Sequence, residues 1–264
     1  GSGSMRSRRP PPNAAAPPLF HEPALKAPAP WLLLREGRAP WEYAALLASM
    51  PWLKRLPPGD GHPVIVFLGL GAADVITLPL RSLLEALGYS AYPWKQGFNF
   101  GPRDGVLAGC RDLLRRTADR HGTQASLVGW SLGGLYAREM AKEMPALSRC
   151  VITLGTPFSG HPRATNAWRF YEMLSGQNVH DPELIERIRG TPTVPTTSIY
   201  SKTDGVVAWQ CSINEAAPQA ENIEVHASHI GMGMNPLALY AVADRLQQDP
   251  AHWTFATGPT EDIR

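Results

Sequence analysis

Short apolar runs of strand length alternate with longer stretches of helical periodicity through most of this chain. Val64–Leu68, Tyr89–Trp94, Ser126–Val128, Cys150–Leu154, Thr196–Tyr200 and Ile223–Val225 read as strands, each bounded by turn residues. Between them, Leu80, Leu83, Leu84 and Leu87 share one helical face, with Gly88 at its stop. Gly105–His121 places Val106, Leu107, Cys110, Leu113, Leu114 and Thr117 on one face. Leu132, Leu135, Tyr136, Met140 and Met144 have the same spacing, and Pro236–Gln247 reads as a closing helix. Strands alternating with helices predict an α/β protein: a mostly parallel sheet with helices on both faces. In such sheets function gathers at the carboxyl ends of the strands.

The pattern fails in four places. Gly1–Ser4 reads as an appended leader with the native start at Met5, and the stretch to about Pro30 is rich in Pro, Ala and Arg, without apolar periodicity. Residues 31–62 read as a docking segment: Trp31–Leu34 and Trp41–Met50 are apolar, and Pro51 is expected to stop the second as a helix. Packing is the favoured role of their tryptophans, membrane contact a minor alternative. Residues 158–193 interrupt the alternation, with helical candidates at Ala167–Leu174 and Pro182–Arg189, and read as a lid over the strand ends. Residues 249–264 read as a loose tail, which leaves 63–248 as one large domain.

Composition narrows the class. A formal net charge of +2 over 264 residues, with the arginines scattered, gives no nucleic-acid footprint. Three cysteines lack metal-ligand spacing, and Cys110 and Cys150 fall on apolar faces as reduced core residues. No Cys/His cluster suggests a metal, and the glycines after the first strand lack a Walker lysine, so neither metal nor cofactor is expected. No apolar run reaches membrane-span length and the N-terminus lacks the apolar stretch of a secretory signal, which makes a cytoplasmic setting the default expectation.

The chemistry lies in Gly129-Trp130-Ser131-Leu132-Gly133, a G-x-S-x-G pattern between an apolar run and a helical one. Such a strand–turn–helix context presents a serine on a tight turn above the sheet. Neutral serine is a poor nucleophile and needs a base to take its proton, and the base needs a carboxylate to fix its tautomer. Asp204, in the turn Ser201–Gly205, and His229, in the loop 226–234, each follow a strand on the same sheet edge, giving the chain order Ser…Asp…His. His226 is the second candidate base, and Asp181 and Glu215 compete with Asp204. An oxyanion needs pre-aimed donors. The backbone N–H of Leu132, at a helix start, is one, and Leu70 in the loop after the first strand is the other, with Gly69 next.

These residues resemble the α/β-hydrolase superfamily, in particular bacterial lipase/esterase-like members with Gly-Trp-Ser-Leu-Gly-Gly at the turn. The resemblance spans Pro63 to Gln247, through Val64–Asp74, Gly129–Gly134, Leu154–Pro157, Ser201–Val206 and Ser228–Gly231. It implies an α/β-hydrolase fold with a reduced sheet of about six strands and a small helical lid. Ser131 is then the nucleophile, Asp204 the acid, His229 the base, and Leu70 and Leu132 the oxyanion donors. Leu68 stands where many relatives have histidine. The implied reaction is acyl transfer to water from a small-molecule or lipid-like ester. Phe98, Phe100, Trp130, Phe158, Trp168 and Trp209 are candidate linings of an apolar acyl pocket. A thioesterase or acyltransferase would use the same triad, and a non-catalytic binding protein could keep the scaffold. Membrane association is compatible with this reading without being required, and the oligomeric state stays open.

Overall fold

The computed structural model describes residues 30–68, 77–95, 105–159, 182–255 and 261–262. Seven strands form one parallel sheet, in the order β2-β1-β3-β4-β5-β6-β7. They are β1 Pro63–Phe67, β2 Ser90–Pro93, β3 Ala125–Trp130, β4 Ser148–Leu154, β5 Thr196–Tyr200, β6 Ala220–Glu224 and β7 Glu261–Asp262. The first five fall on the runs read from sequence, and β6 starts three residues earlier and ends one earlier than expected; the seventh is a two-residue pairing that ties the supposed loose tail to β6. The helices are α1 Pro30–Arg35, α2 Ala39–Leu53, α3 Leu78–Ala86, α4 Val106–His121, α5 Leu132–Glu143, α6 Pro182–Arg189 and α7 Pro236–Gln247.

Both faces of the sheet are covered, so its strands are near-continuous apolar runs. Ile65, Phe67, Leu127 and Val151 pack with α4 and α5, through side chains such as Leu114 and Tyr136. Val64, Val66, Val128 and Ile152 face the other way, onto Leu83 and Leu84 of α3, Leu239 and Val242 of α7, and Leu46 and Leu53 of α2. Cys110, Cys150 and Cys211 are buried. Burial pushes the Cys110 thiol up to about 12 and Cys150 to about 11, so neither supplies thiolate at neutral pH.

Pro51 does not end α2. The helix runs through it to Leu53, at the cost of one backbone hydrogen bond. Leu53 is fully buried and Trp52 stacks on Tyr240 of α7 with ring centroids 5.8 Å apart, so packing outweighs the local penalty. Asn235 caps α7, its side chain accepting from the N–H groups of Leu237 and Ala238 ahead of Pro236 at the first turn.

At the amino-terminal edge of the sheet, opposite the Ser131 turn, a second polar chain runs from the exposed Asp60 through buried His62 to buried Ser126. His62 Nδ1 lies 2.5 Å from Asp60 and its Nε2 2.6 Å from Ser126 Oγ. Tyr89, Arg149 and Cys150 surround this group. Ser126 is fully buried within β3, so the chain is a structural clasp between strand starts. Burial pulls the His62 imidazole below its usual 6.5, against the opposing effect of the hydrogen bond its ring donates to Asp60. The unfolded chain therefore takes up this proton before the native state does, and stability falls as pH drops below about 6.5. Thermal unfolding between pH 7 and pH 5 should show a falling midpoint, with a shallower fall in His62→Gln; equal slopes in the two proteins would remove His62 as the cause.

Candidate active site

The chain starts in β1, crosses to β2 on one side, and returns to β3 on the other. The carboxyl ends of β1 and β3 thus flank the switch point where such sheets bind ligands. β3 ends at Trp130 and α5 begins at Leu132, leaving Ser131 alone to make the turn. It does so at φ 53° and ψ −124°, a conformation that a residue with a Cβ adopts only under strain. The Ser131 N–H donates to the Leu154 carbonyl at 2.7 Å, and its own carbonyl accepts from Gly134 N at 3.0 Å and Thr156 Oγ1 at 2.8 Å. A Cβ on Gly129 would overlap the backbone of Gly134, and one on Gly133 would overlap β1 at Phe67 and Leu68. The two glycines let α5 start this close to the sheet.

Ser131 Oγ lies 2.8 Å from His229 Nε2, across 98 residues of sequence. His229 Nδ1 lies 2.7 Å from Asp204 Oδ2. A carboxylate only accepts, so Nδ1 carries the imidazole proton and Nε2 is left to accept from the serine hydroxyl. Both His229 and Asp204 are buried. The second Asp204 oxygen accepts from the backbone N–H groups of Val206 and Val207, each at 2.8 Å, which holds the carboxylate in the turn after β5. The His229 carbonyl accepts from Trp130 Nε1 at 3.1 Å, tying the His229 loop to the residue before Ser131.

Leu132 is the first residue of α5, where its N–H has no intrahelical partner and the helix dipole favours negative charge. Leu70, Gly69, Phe98, Phe100 and Trp168 lie outside the described residues, as do Asp181 and most of the lid segment. Trp130 is half-buried and lines an apolar recess with Val66, Leu80, Leu154, Ile230 and Met234. Phe158 is not brought to open space: it is 1% exposed, and the Arg138 guanidinium sits 3.7 Å from its ring centre. Trp209 stacks on Tyr200, with the Lys202 ammonium 5.1 Å from its ring. The other sequence candidates stay apart. His226 is exposed beyond the end of β6, and Glu215 pairs with Arg189 at 2.8 Å.

Two acidic residues at this site carry no motif. Glu36 and Glu42, from the docking segment, accept hydrogen bonds from the backbone N–H groups of His229 and Ser228. Their sequence signal is faint: two acids, with Arg35 and Arg38, within a largely apolar stretch.

Replacing Ser131 separates its backbone strain from its chemistry. Ser131→Gly relieves the positive φ that Ser131→Ala retains, so denaturant unfolding should find the glycine variant about 1 kcal/mol more stable than the alanine one. Equal stabilities would mean that the turn is unstrained.

The profile of the alpha/beta hydrolase family matches residues 58–260. Over 96 residues the chain is 30% identical to the pimeloyl-[acyl-carrier protein] methyl ester esterases of Legionella pneumophila strains Paris and Corby. That alignment takes in 36% of this chain and 38% of each of theirs, so it spans well under half the length of these relatives. Among solved structures, the Paleococcus ferrophilus monoacylglycerol lipase superposes with a TM-score of 0.54 at 16% identity, covering 72% of this chain and 95% of that one. The Bacillus licheniformis lipase BlEst2 does so with a TM-score of 0.53 at 17% identity, covering 74% and 95%. With most of its length, residues 58–260, matched by the family profile, the chain belongs to the alpha/beta hydrolase family.

Proposed function

We propose that this protein is a serine hydrolase that cleaves carboxylic esters with apolar acyl groups through an acyl-enzyme on Ser131. The observation that carries the reading is the unbroken relay from Ser131 Oγ through His229 to Asp204, at 2.8 Å and 2.7 Å. In the first half-reaction Ser131 Oγ attacks the ester carbonyl carbon as its proton passes to His229 Nε2. The imidazolium is stabilised by Asp204, and the carbonyl electron pair moves onto oxygen, facing the Leu132 N–H. Collapse expels the alkoxide, which takes the proton from His229 and leaves as the alcohol. Water then repeats the sequence on the acyl-enzyme, giving the acid and free Ser131.

Half-buried Trp130 and exposed Ile230, neighbours in the chain of Ser131 and His229, put apolar side chains beside the relay, in keeping with apolar acyl groups. The ester-cleaving names of the Legionella relatives agree with the reaction class. A fluorophosphonate probe should label wild-type protein and not Ser131→Ala, and turnover of p-nitrophenyl esters should rise from acetate to medium chains. Asp204→Asn should lower kcat about 10³- to 10⁴-fold with the fold intact. No labelling of wild type would end the proposal. Faster turnover of acyl-CoA than of oxygen esters would move it to the thioesterase reading.

A second reading, an esterase working at a lipid surface, is favoured by one observation. Trp31, Leu34, Trp41, Leu47 and Trp52 of α1 and α2 are exposed, as is Ile230 next to His229. Arg35, Lys54 and Arg55 are exposed around them. Exposed apolar side chains with cations in the same segment, Arg35 lying over the Trp31 ring, suit an anionic bilayer surface. Cosedimentation with phosphatidylglycerol vesicles, reduced by the double substitution Trp41→Glu and Leu47→Glu, tests this; no sedimentation of wild type rejects it.

A further inference from the structure

We infer that Glu36 is a positioning residue for this hydrolysis: its carboxylate, brought in by the N-terminal segment, fixes the loop of the acid against the loop of the base. The inference rests on the serine-hydrolase reading.

Glu36 opens the one-turn 3₁₀ segment Glu36–Arg38 between α1 and α2, and its side chain is buried. One carboxylate oxygen accepts from His229 N at 2.7 Å and from Gly205 N at 3.1 Å. The other lies 2.9 Å from the same His229 N–H. Gly205 directly follows Asp204, so one oxygen atom is shared by the base and the residue after the acid. Neighbouring bonds repeat the pattern. Glu42 accepts from Ser228 N at 2.9 Å and from Asn235 Nδ2 at 3.2 Å. Arg38 donates to Glu42, and to the carbonyl and hydroxyl of Thr203 at 3.1 Å and 2.8 Å. The segment thus grips residues 203 and 205 around Asp204, and residue 228 together with His229 itself.

Anchoring alone does not require this chemistry. Leu46 and Leu53 already bury α2 against the sheet, whereas taking a carboxylate out of water is costly unless its lone pairs are filled. Glu36 fills them with amides of the two loops whose spacing the relay depends on. The fit is close: a Cβ on Gly205 would overlap the Leu32 carbonyl, and one on Gly231 would meet the Glu42 carboxylate. Glu36 acts on His229 through its backbone N–H and on Asp204 through the amide of the following Gly205, and its bonds go to backbone amides rather than to the Ser131 hydroxyl. It also lies upstream of the residues that the family profile covers.

The test compares Glu36→Gln and Glu36→Ala with wild type. The carboxamide keeps one acceptor but turns an NH₂ group towards an amide N–H, and alanine removes both acceptors. With p-nitrophenyl butyrate, kcat should fall about 10-fold in Glu36→Gln and about 100-fold in Glu36→Ala, with KM within about twofold of wild type. In a His229→Ala background, Glu36→Gln should lower the residual rate no further, because its effect passes through the imidazole. A second readout needs no turnover: the low-field proton signal of the His229 Nδ1–Asp204 hydrogen bond, present in wild type, should broaden or vanish in Glu36→Gln. Folded variants with wild-type kcat and an unchanged low-field signal would overturn the inference. So would a loss that persists undiminished without His229. If wild type neither turns over esters nor labels at Ser131, the hydrolase reading fails, and the proton signal still decides what Glu36 does. Should Glu36→Ala not fold, the near-isosteric glutamine variant carries the test.

Discussion

Parallel strands cannot be joined by tight hairpins; each must be reached by a crossover that brings the chain back to the same starting edge. Every loop leaving a strand therefore emerges on one side of the sheet. Here that constraint does what no local sequence signal can do, placing residues 98 apart in the chain within hydrogen-bonding distance. Ser131 follows β3, Asp204 follows β5 and His229 follows β6. The relay is a consequence of the topology, and the apolar packing on both faces keeps the strands in the register that the relay needs.

The second constraint is local. Ser131 alone makes the turn between the end of β3 and the start of α5, which puts a non-glycine residue at φ 53°. The strain is held in place by bonds to the backbone of Ser131 and by the lack of side chains on Gly129 and Gly133, where strand and helix nearly touch. The same tight start leaves the Leu132 N–H without an intrahelical partner, so under the proposed reaction one turn would supply both the attacking oxygen and a donor for the oxyanion.

The molecule also has a second Ser–His–Asp chain, Ser126, His62 and Asp60, and it has the wrong surroundings for catalysis. Its serine is sealed within a strand, at the sheet edge away from the nucleophile turn. Matching residue types and short distances do not by themselves make a reactive site; exposure of the hydroxyl and a donor for the oxyanion do.

Much of this was legible in the sequence. The six main strands and the helices between them follow from apolar runs alternating with 3.6-residue periodicity, because a two-sided sheet demands both. The G-x-S-x-G turn, with an acid and a histidine each just past a later strand, marked Ser131, Asp204 and His229. What the sequence did not carry was decided by contacts between distant segments. Pro51 looks like a helix stop until Leu53 and Trp52 are seen packed beyond it. Phe158 looks like pocket lining until Arg138 covers it. Glu36 and Glu42 carry no sequence mark of their role, since the groups they meet in the site loops are backbone amides and an asparagine nearly two hundred residues away. Periodicity records which face of an element is buried, whereas only the folded chain determines which backbone groups a buried acid will meet.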